Sequence, residues 1–284
     1  MFDNRLEWRH PIAFIVITSA LLFFLPLAAL AGSPSNGLPD HGYLGAARSV
    51  RLYTENLPPF NYRSENGIAG VGADVVAAMA KIVGHSGKFE MLPWKRVLSA
   101  LENDPYAAAF SMMRIPERED EFKWVGPITH AETAFYQLAD KPVNIQTLDD
   151  ARAVAAIGVQ AGGASERTLQ ALGFDNLMSL HVPNNGLKML LSGRITLWET
   201  ADLVLNSQVR ALGVSSDLVK PALKIGDYDL YLAFSKATPD TVVLPWRQAL
   251  LELHQNGVFN EIQKRYSIKI DPPSPHKTSF SLLN

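Results

Sequence analysis

No cysteine occurs among the 284 residues, which excludes disulfides, thiolate nucleophiles and cysteine-based metal sites together. Neither charge is in excess, with 26 lysines and arginines against 28 aspartates and glutamates and a formal net charge of −2. Nucleic-acid binding needs a concentrated basic surface, and no block of lysine and arginine supplies one. The seven histidines are scattered, without H-E-x-x-H or a short His-x-His spacing, so no metal centre is expected. There is no G-x-S-x-G elbow and no G-x-x-x-x-G-K loop, and Gly70-Val71-Gly72 lacks the third glycine of a dinucleotide fingerprint. No cofactor is expected either.

What is present is an ordinary globular composition, 47% hydrophobic and 19% charged, long enough for one large or two smaller domains with their own cores. Residues 1–10 are polar and contain Arg5 and Arg9. Ile12 to Leu25 is an uncharged apolar run, broken by Pro26 and followed by Ala29-Leu30-Ala31. That order reads as a secretory signal over residues 1–31, cleaved after Ala31, and so as export to the periplasm. The alternative is an uncleaved anchor, since Ile12 to Ala31 approaches the ~20 residues that span a bilayer. Residues 32–48 read as a flexible leader and 271–284 as a loose tail.

Between these ends, strand and helix periods alternate. Val50, Leu52 and Thr54 alternate with Arg51 and Tyr53, a strand that stops at Leu57-Pro58-Pro59. Val75, Met79, Ile82 and Val83 recur at helical spacing before Gly84. Further strands are expected at 88–92, 106–110, 153–159, 177–182, 195–198 and 229–234. Helices are expected around Val97 to Leu101, Leu169, Leu187 to Leu191, 201–212 and Phe259 to Tyr266. Thr147-Leu148-Asp149-Asp150 has the form of a capping box. Strands alternating with helices of this length imply α/β units.

Several segments stand in a specific order: RLYTENLPPFNY (51–62), GIAGVGADVVAAMAKIVG (67–84), MLPWKRVLSALEN (91–103) and SMMRIPEREDEFKWVGPI (111–128). IGVQAGGASERTLQ (157–170), NNGLKMLLSGRI (184–195) and LLELHQNGVFNEIQKRY (250–266) complete the series. Over about residues 49–268 this resembles the bacterial extracellular solute-binding proteins of family 3, the polar amino-acid type that serves ABC importers. The resemblance implies a two-lobed periplasmic-binding-protein fold of type II with two hinge crossovers. Lobe 1 would take residues 49–139 and 233–270, and lobe 2 residues 140–232, with crossovers near 138–141 and 229–233. It also implies a monomer that passes a small solute to an ABC permease.

The resemblance points to ligand-binding residues one at a time. Arg118, in Pro116-Glu117-Arg118, would hold a ligand carboxylate in the planar fork of its guanidinium; a surface arginine paired with Glu117, Glu119 or Asp120 is the plain alternative. Ser111 would donate to the same carboxylate, or merely end a strand. Trp94 would cover the ligand's side chain, or pack in the core. Gly163, in the Gly162-Gly163-Ala164 turn, would present backbone N–H groups at a helix start, or only make a tight turn. Two positions depart from the family pattern: Met113 stands where a second hydroxyl belongs, and Ala201 where an ammonium-binding aspartate belongs. Glu199 or Asp202 would have to substitute for it. Arg114, beside the carboxylate site, would favour a more acidic solute. Two further readings stay open: a dehydratase-like enzyme on the same scaffold with Glu199 as acid-base group, and a ligand-sensing module.

Overall fold

The computed structural model describes residues 41–182, 185–266 and 278–280. The signal segment and the start of the leader lie outside them. Strand β1 (Arg51–Thr54) is followed by the hairpin β2 (Tyr62–Ser64) and β3 (Gly67–Ala69), then helix α2 (Val71–Val83), β4 (Phe89–Met91), α3 (Trp94–Asn103) and β5 (Ala107–Met113). After a 3-10 turn at Pro116–Arg118 comes β6 (Phe122–Leu138), 17 residues long. Then follow α4 (Leu148–Arg152), β7 (Ile157–Gln160), α5 (Ala164–Ala171), β8 (Leu177–Leu180), α6 (Gly186–Leu191), β9 (Leu197–Ala201) and α7 (Asp202–Leu212). A second 17-residue strand, β10 (Val219–Ser235), leads to α8 (Asp240–Gln255) and α9 (Val258–Arg265).

The periodicity explains most of these elements. In α2 the buried residues Val75, Val76, Met79, Ala80 and Val83 form one stripe, and Gly84 closes the helix in the left-handed conformation. Each large apolar side chain so buried contributes about 1.5–3 kcal/mol. The capping box of α4 is present: Thr147 Oγ1 accepts from Asp150 N at 3.2 Å, and Asp150 Oδ2 accepts from Thr147 N at 2.9 Å. In α9, Phe259 and Ile262 are buried, as the 3.6-residue period requires.

One sheet in the order β4-β1-β5-β10-β6-β9-β7-β8 forms the frame, with a separate β2-β3 hairpin. At one end β1 pairs in parallel with β4 and β5; at the other β7 pairs in parallel with β8 and β9. The antiparallel ribbon of β6 and β10 joins these two α/β halves. Helices cover both faces. Val76, Met79 and Trp246 lie in one core of the first half, Val97, Leu101 and Trp124 in another, and Phe135, Ile157, Leu169 and Leu197 in the second half. Among the described residues no helix is long and apolar enough to cross a membrane.

Three expectations are corrected here. Residues 41–48 of the expected flexible leader form helix α1 (His41–Arg48), whose Ala47 is fully buried. Within the expected loose tail, β11 (Thr278–Phe280) pairs antiparallel with Gly226 to Tyr228 of β10. The exchange of sheet partners along β6 also precedes the expected crossover near 138–141. Residues Thr133 to Tyr136 already pair with β9, and the register of β6 on β10 is interrupted between Val125 and Thr129, at Gly126-Pro127. Proline cannot donate to a ladder, so the pairing breaks at Gly126-Pro127, ahead of the exchange of partners that begins at Thr133. On β10 the pairing with β5 begins at Leu230, within the expected second crossover.

Candidate functional site

In open α/β sheets the crevice beyond the carboxyl ends of the parallel strands is where loops from both sides converge. Glu55 follows β1, Ser111 lies near the end of β5, Gln160 ends β7, and Glu199 lies near the end of β9. All four line a single cavity, together with Trp94, Arg118 and Gly163. Its volume is about 80 Å³; on the scale where one water needs ~10–15 Å³, that admits a solute of several heavy atoms.

Arg118 sits on the 3-10 turn after β5, anchored by the buried Ile115, and is 1% exposed. Its Nη2 donates to the carbonyl of Gly162 at 2.8 Å, and the indole N–H of Trp94 donates to the same carbonyl at 3.0 Å. The guanidinium carbon lies 5.8 Å from the centroid of the Trp94 ring. Burial, with Arg167 nearby, lowers the Arg118 pKa to about 10, so it remains a cation at neutral pH. Its Nε is buried with no partner.

Ser111 has φ 63°, and among the described residues no other non-glycine residue has a positive φ. That conformation is costly for an ordinary side chain and persists where the surroundings impose it. Its hydroxyl donates to Asn61 Oδ1 at 2.9 Å, while Asn61 Nδ2 is buried without a partner. Gly72 faces this pair: a Cβ there would lie 2.0 Å from Ser111 Oγ and 2.9 Å from Asn61 Oδ1. The second glycine of Gly70-Val71-Gly72 thus makes room for Ser111.

Two buried carboxyls share the cavity. Burial raises the pKa of Glu199 to about 7, opposed by a hydrogen bond from Ser165, and its Oε1 has no partner. Burial likewise raises Glu55 to about 7, opposed by hydrogen bonding from Gln160 and by the charge of Arg118. Gln160 Nε2 lies 2.7 and 2.6 Å from the two Glu55 oxygens. Phe60, Met113, Leu180, Trp198 and Ala201 supply apolar wall. Trp198 stands against α6 because residue 186 is glycine; a Cβ there would lie 2.2 Å from the indole ring.

Of the residues singled out in the sequence, Arg118, Ser111, Trp94, Gly163 and Glu199 surround this cavity, and Met113 and Ala201 line it too. Arg114 does not. Its side chain turns away to Glu119, with Nε 2.7 Å from Oε2, and stacks between Trp124 and Tyr231, whose ring centroids lie 5.8 and 5.4 Å away. Glu119 satisfies its charge, so the expectation that Arg114 makes the site favour acidic solutes falls. Glu55, Asn61, Thr133 and Gln160 were missed. Glu55 carried a signal, as an acid directly after a strand; Gln160 and Thr133 become visible only when the two halves face each other.

The sheet order, the two-strand crossing and the cleft at the strand ends define a two-lobed binding fold of the periplasmic type. The chain belongs to the bacterial extracellular solute-binding proteins, family 3, whose model matches residues 50–269. A curated relative from Bacillus subtilis (strain 168), the probable amino-acid-binding protein YxeM, is 21% identical, with 89% of this chain and 93% of YxeM covered. Among solved structures, a histidine kinase sensor domain with similarity to periplasmic binding proteins matches with a TM-score of 0.71 at 18% identity, covering 79% of this chain and 98% of that one. EhuB in complex with hydroxyectoine matches with a TM-score of 0.70 at 23% identity, covering 80% of this chain and 92% of that one.

Proposed function

We propose that this protein is an exported, monomeric binder that captures a zwitterionic solute, an amino acid or close relative, and delivers it to an ABC permease. The observation that carries the reading is the pairing of opposite charges in one cavity. Arg118 and Glu199 are both buried, and the Nε of one and the Oε1 of the other are without partners. Buried polar groups are normally hydrogen-bonded, and a solute carrying a carboxylate and an ammonium supplies both complements. Ser111, Trp94 and Gly163 complete the proposed clamp. Glu199 then takes the part that the family pattern gives to position 201, where alanine stands.

The lobes would divide at the crossing of β6 and β10, with a hinge near Thr129–Ala131 and Tyr228–Leu230. Closure brings Gly162 of the second lobe to Arg118 and Trp94 of the first. The relative YxeM, described as a probable amino-acid-binding protein, is consistent with this cargo.

Thermal unfolding of the mature protein against a panel of amino acids, amines and organic acids tests it. A solute at a thousand times its Kd adds ~4 kcal/mol to the native state, a Tm rise on the order of 10 °C for a domain this size. Arg118→Ala is expected to abolish the shift given by carboxylate-bearing solutes. A shift unchanged by that substitution would sink the assignment. A second reading, a dehydratase-like enzyme, is favoured by the two carboxyls held near 7, the range in which a carboxyl can exchange protons at neutral pH. Product formed during the same incubations would transfer the weight to it.

A further inference from the structure

Away from the cavity, the ribbon of β6 and β10 carries a second cluster of ionisable side chains. The register sets His130 opposite Asp229 and Glu132 opposite Asp227. Side chains alternate along a strand, and directly opposed residues share a face, so these four stand together on one side of the ribbon. Thr133 and Leu230, which line the cavity, fall on the other side. His130 Nδ1 lies 3.2 Å from Asp229 Oδ1, and its Nε2 lies 3.9 Å from Asp227 Oδ1. A carboxylate that accepts from one ring N–H fixes the tautomer and leaves the lone pair of the other nitrogen to a metal. With Asp229 on Nδ1, the free nitrogen of His130 faces Asp227.

One ring nitrogen of His130 and one carboxylate oxygen each from Glu132 and Asp227 lie within 4.8 Å of one another. Ligands of a tetrahedral zinc stand roughly 3.3 Å apart, from bond lengths of about 2.0–2.2 Å, so small side-chain rotations complete the triangle. The surroundings favour a cation. Glu132, Asp227 and Asp229 surround His130, and Asp202, at the start of α7, acts on the same group. Lys224 offsets them with one ammonium, 2.9 Å from Asp227 and 3.4 Å from Glu132. Its side chain is 52% exposed and can swing into solvent. Asp227 Oδ1, in contrast, is shielded from solvent and receives no well-directed hydrogen bond. One imidazole with two carboxylates suits zinc, whereas calcium and magnesium take oxygen ligands alone.

We propose that His130, Glu132 and Asp227 bind one zinc ion, with Asp229 orienting the imidazole and the ammonium of Lys224 displaced. The ion pins β6 to β10 on the ribbon that joins the two halves, and the site is independent of the solute clamp. No spacing in the sequence announces it, because its single histidine has no histidine partner and Asp227 comes from the other strand.

The test is calorimetric titration of the metal-stripped mature protein with zinc, magnesium and calcium at neutral pH. Zinc should bind once per chain, at least a hundredfold more tightly than magnesium or calcium, and should raise the Tm. His130→Gln and Glu132→Gln should each weaken zinc at least tenfold. Lys224→Ala removes the competing ammonium and should strengthen zinc binding. Zinc bound no more tightly than magnesium would overturn the site, and so would zinc affinity unchanged in the His130 and Glu132 variants. Weaker zinc binding in Lys224→Ala would also overturn it, by making the cluster an ion-pair network that needs its lysine. If His130→Gln does not fold, Glu132→Gln decides alone, since that side chain is 58% exposed.

Discussion

Gly72 shows how much a single residue controls at the site. Its missing side chain lets Ser111 and Asn61 approach the start of α2, and any Cβ would meet the Ser111 oxygen at 2.0 Å. Gly72→Ala should therefore displace Ser111, costing on the order of 1–3 kcal/mol, and should weaken solute binding more than a distant change of equal stability cost. Calorimetric Tm and Kd, measured together, separate the two effects. The buried carboxyls give a pH signature. Unfolded glutamates titrate at 4.5, whereas Glu55 and Glu199 titrate near 7 in the folded protein. Between those values the folded state keeps protons that the unfolded state has lost. The stabilisation is complete below about 4.5 and disappears as pH rises through 7. The solute-free protein should thus be more stable at pH 5.5 than at pH 8, by up to about 2 kcal/mol per carboxyl, and melt correspondingly higher. In Glu55→Gln and Glu199→Gln this difference should shrink.

At the scale of elements, local chemistry and long-range pairing separate cleanly. The capping box of Thr147 and Asp150 is a matter of four residues, and it was legible in the sequence. Thr147→Ala should cost about 0.5–2 kcal/mol, read as a lower urea midpoint with an unchanged slope. Helices α2 and α9 were legible for a similar reason, because one apolar stripe at a 3.6-residue period has a single interpretation. The long strands β6 and β10 were not. Apart from 229–234, their residues carry no clean alternation, since each strand passes from one half to the other and changes which of its faces is covered. Gly126-Pro127 inside β6 also reads as a strand breaker, yet Val125 and Thr129 on either side both pair with β10. Helix α1, expected as loose chain, is short and carries two glycines, which favour helix little, and it packs against α8.

For the whole molecule, the decisive contacts join the two halves. Trp94 and Arg118 reach Gly162, Glu55 reaches Gln160, and Arg167 pairs with Glu121 at 2.9 Å. The exposed Arg167 pair contributes at most about 1 kcal/mol, so the buried set should govern closure. Gln160→Ala should shift the solute-free protein toward an open form, seen as a larger radius of gyration by small-angle scattering that contracts when solute is added. An unchanged radius would argue that Gln160 has no part in closure. By itself the sequence determined the α/β class, the family and the helix stripes, because those depend on local period and on ordered short segments; five of the six residues put forward as ligand contacts line the cavity. The tertiary structure alone decided that Arg114 turns away to Glu119 and that Glu55 is buried opposite Gln160, 105 positions further along the chain. It also decided where the strands cross. Burial and partnership between distant residues are set by how the two halves pack, and no local pattern encodes them.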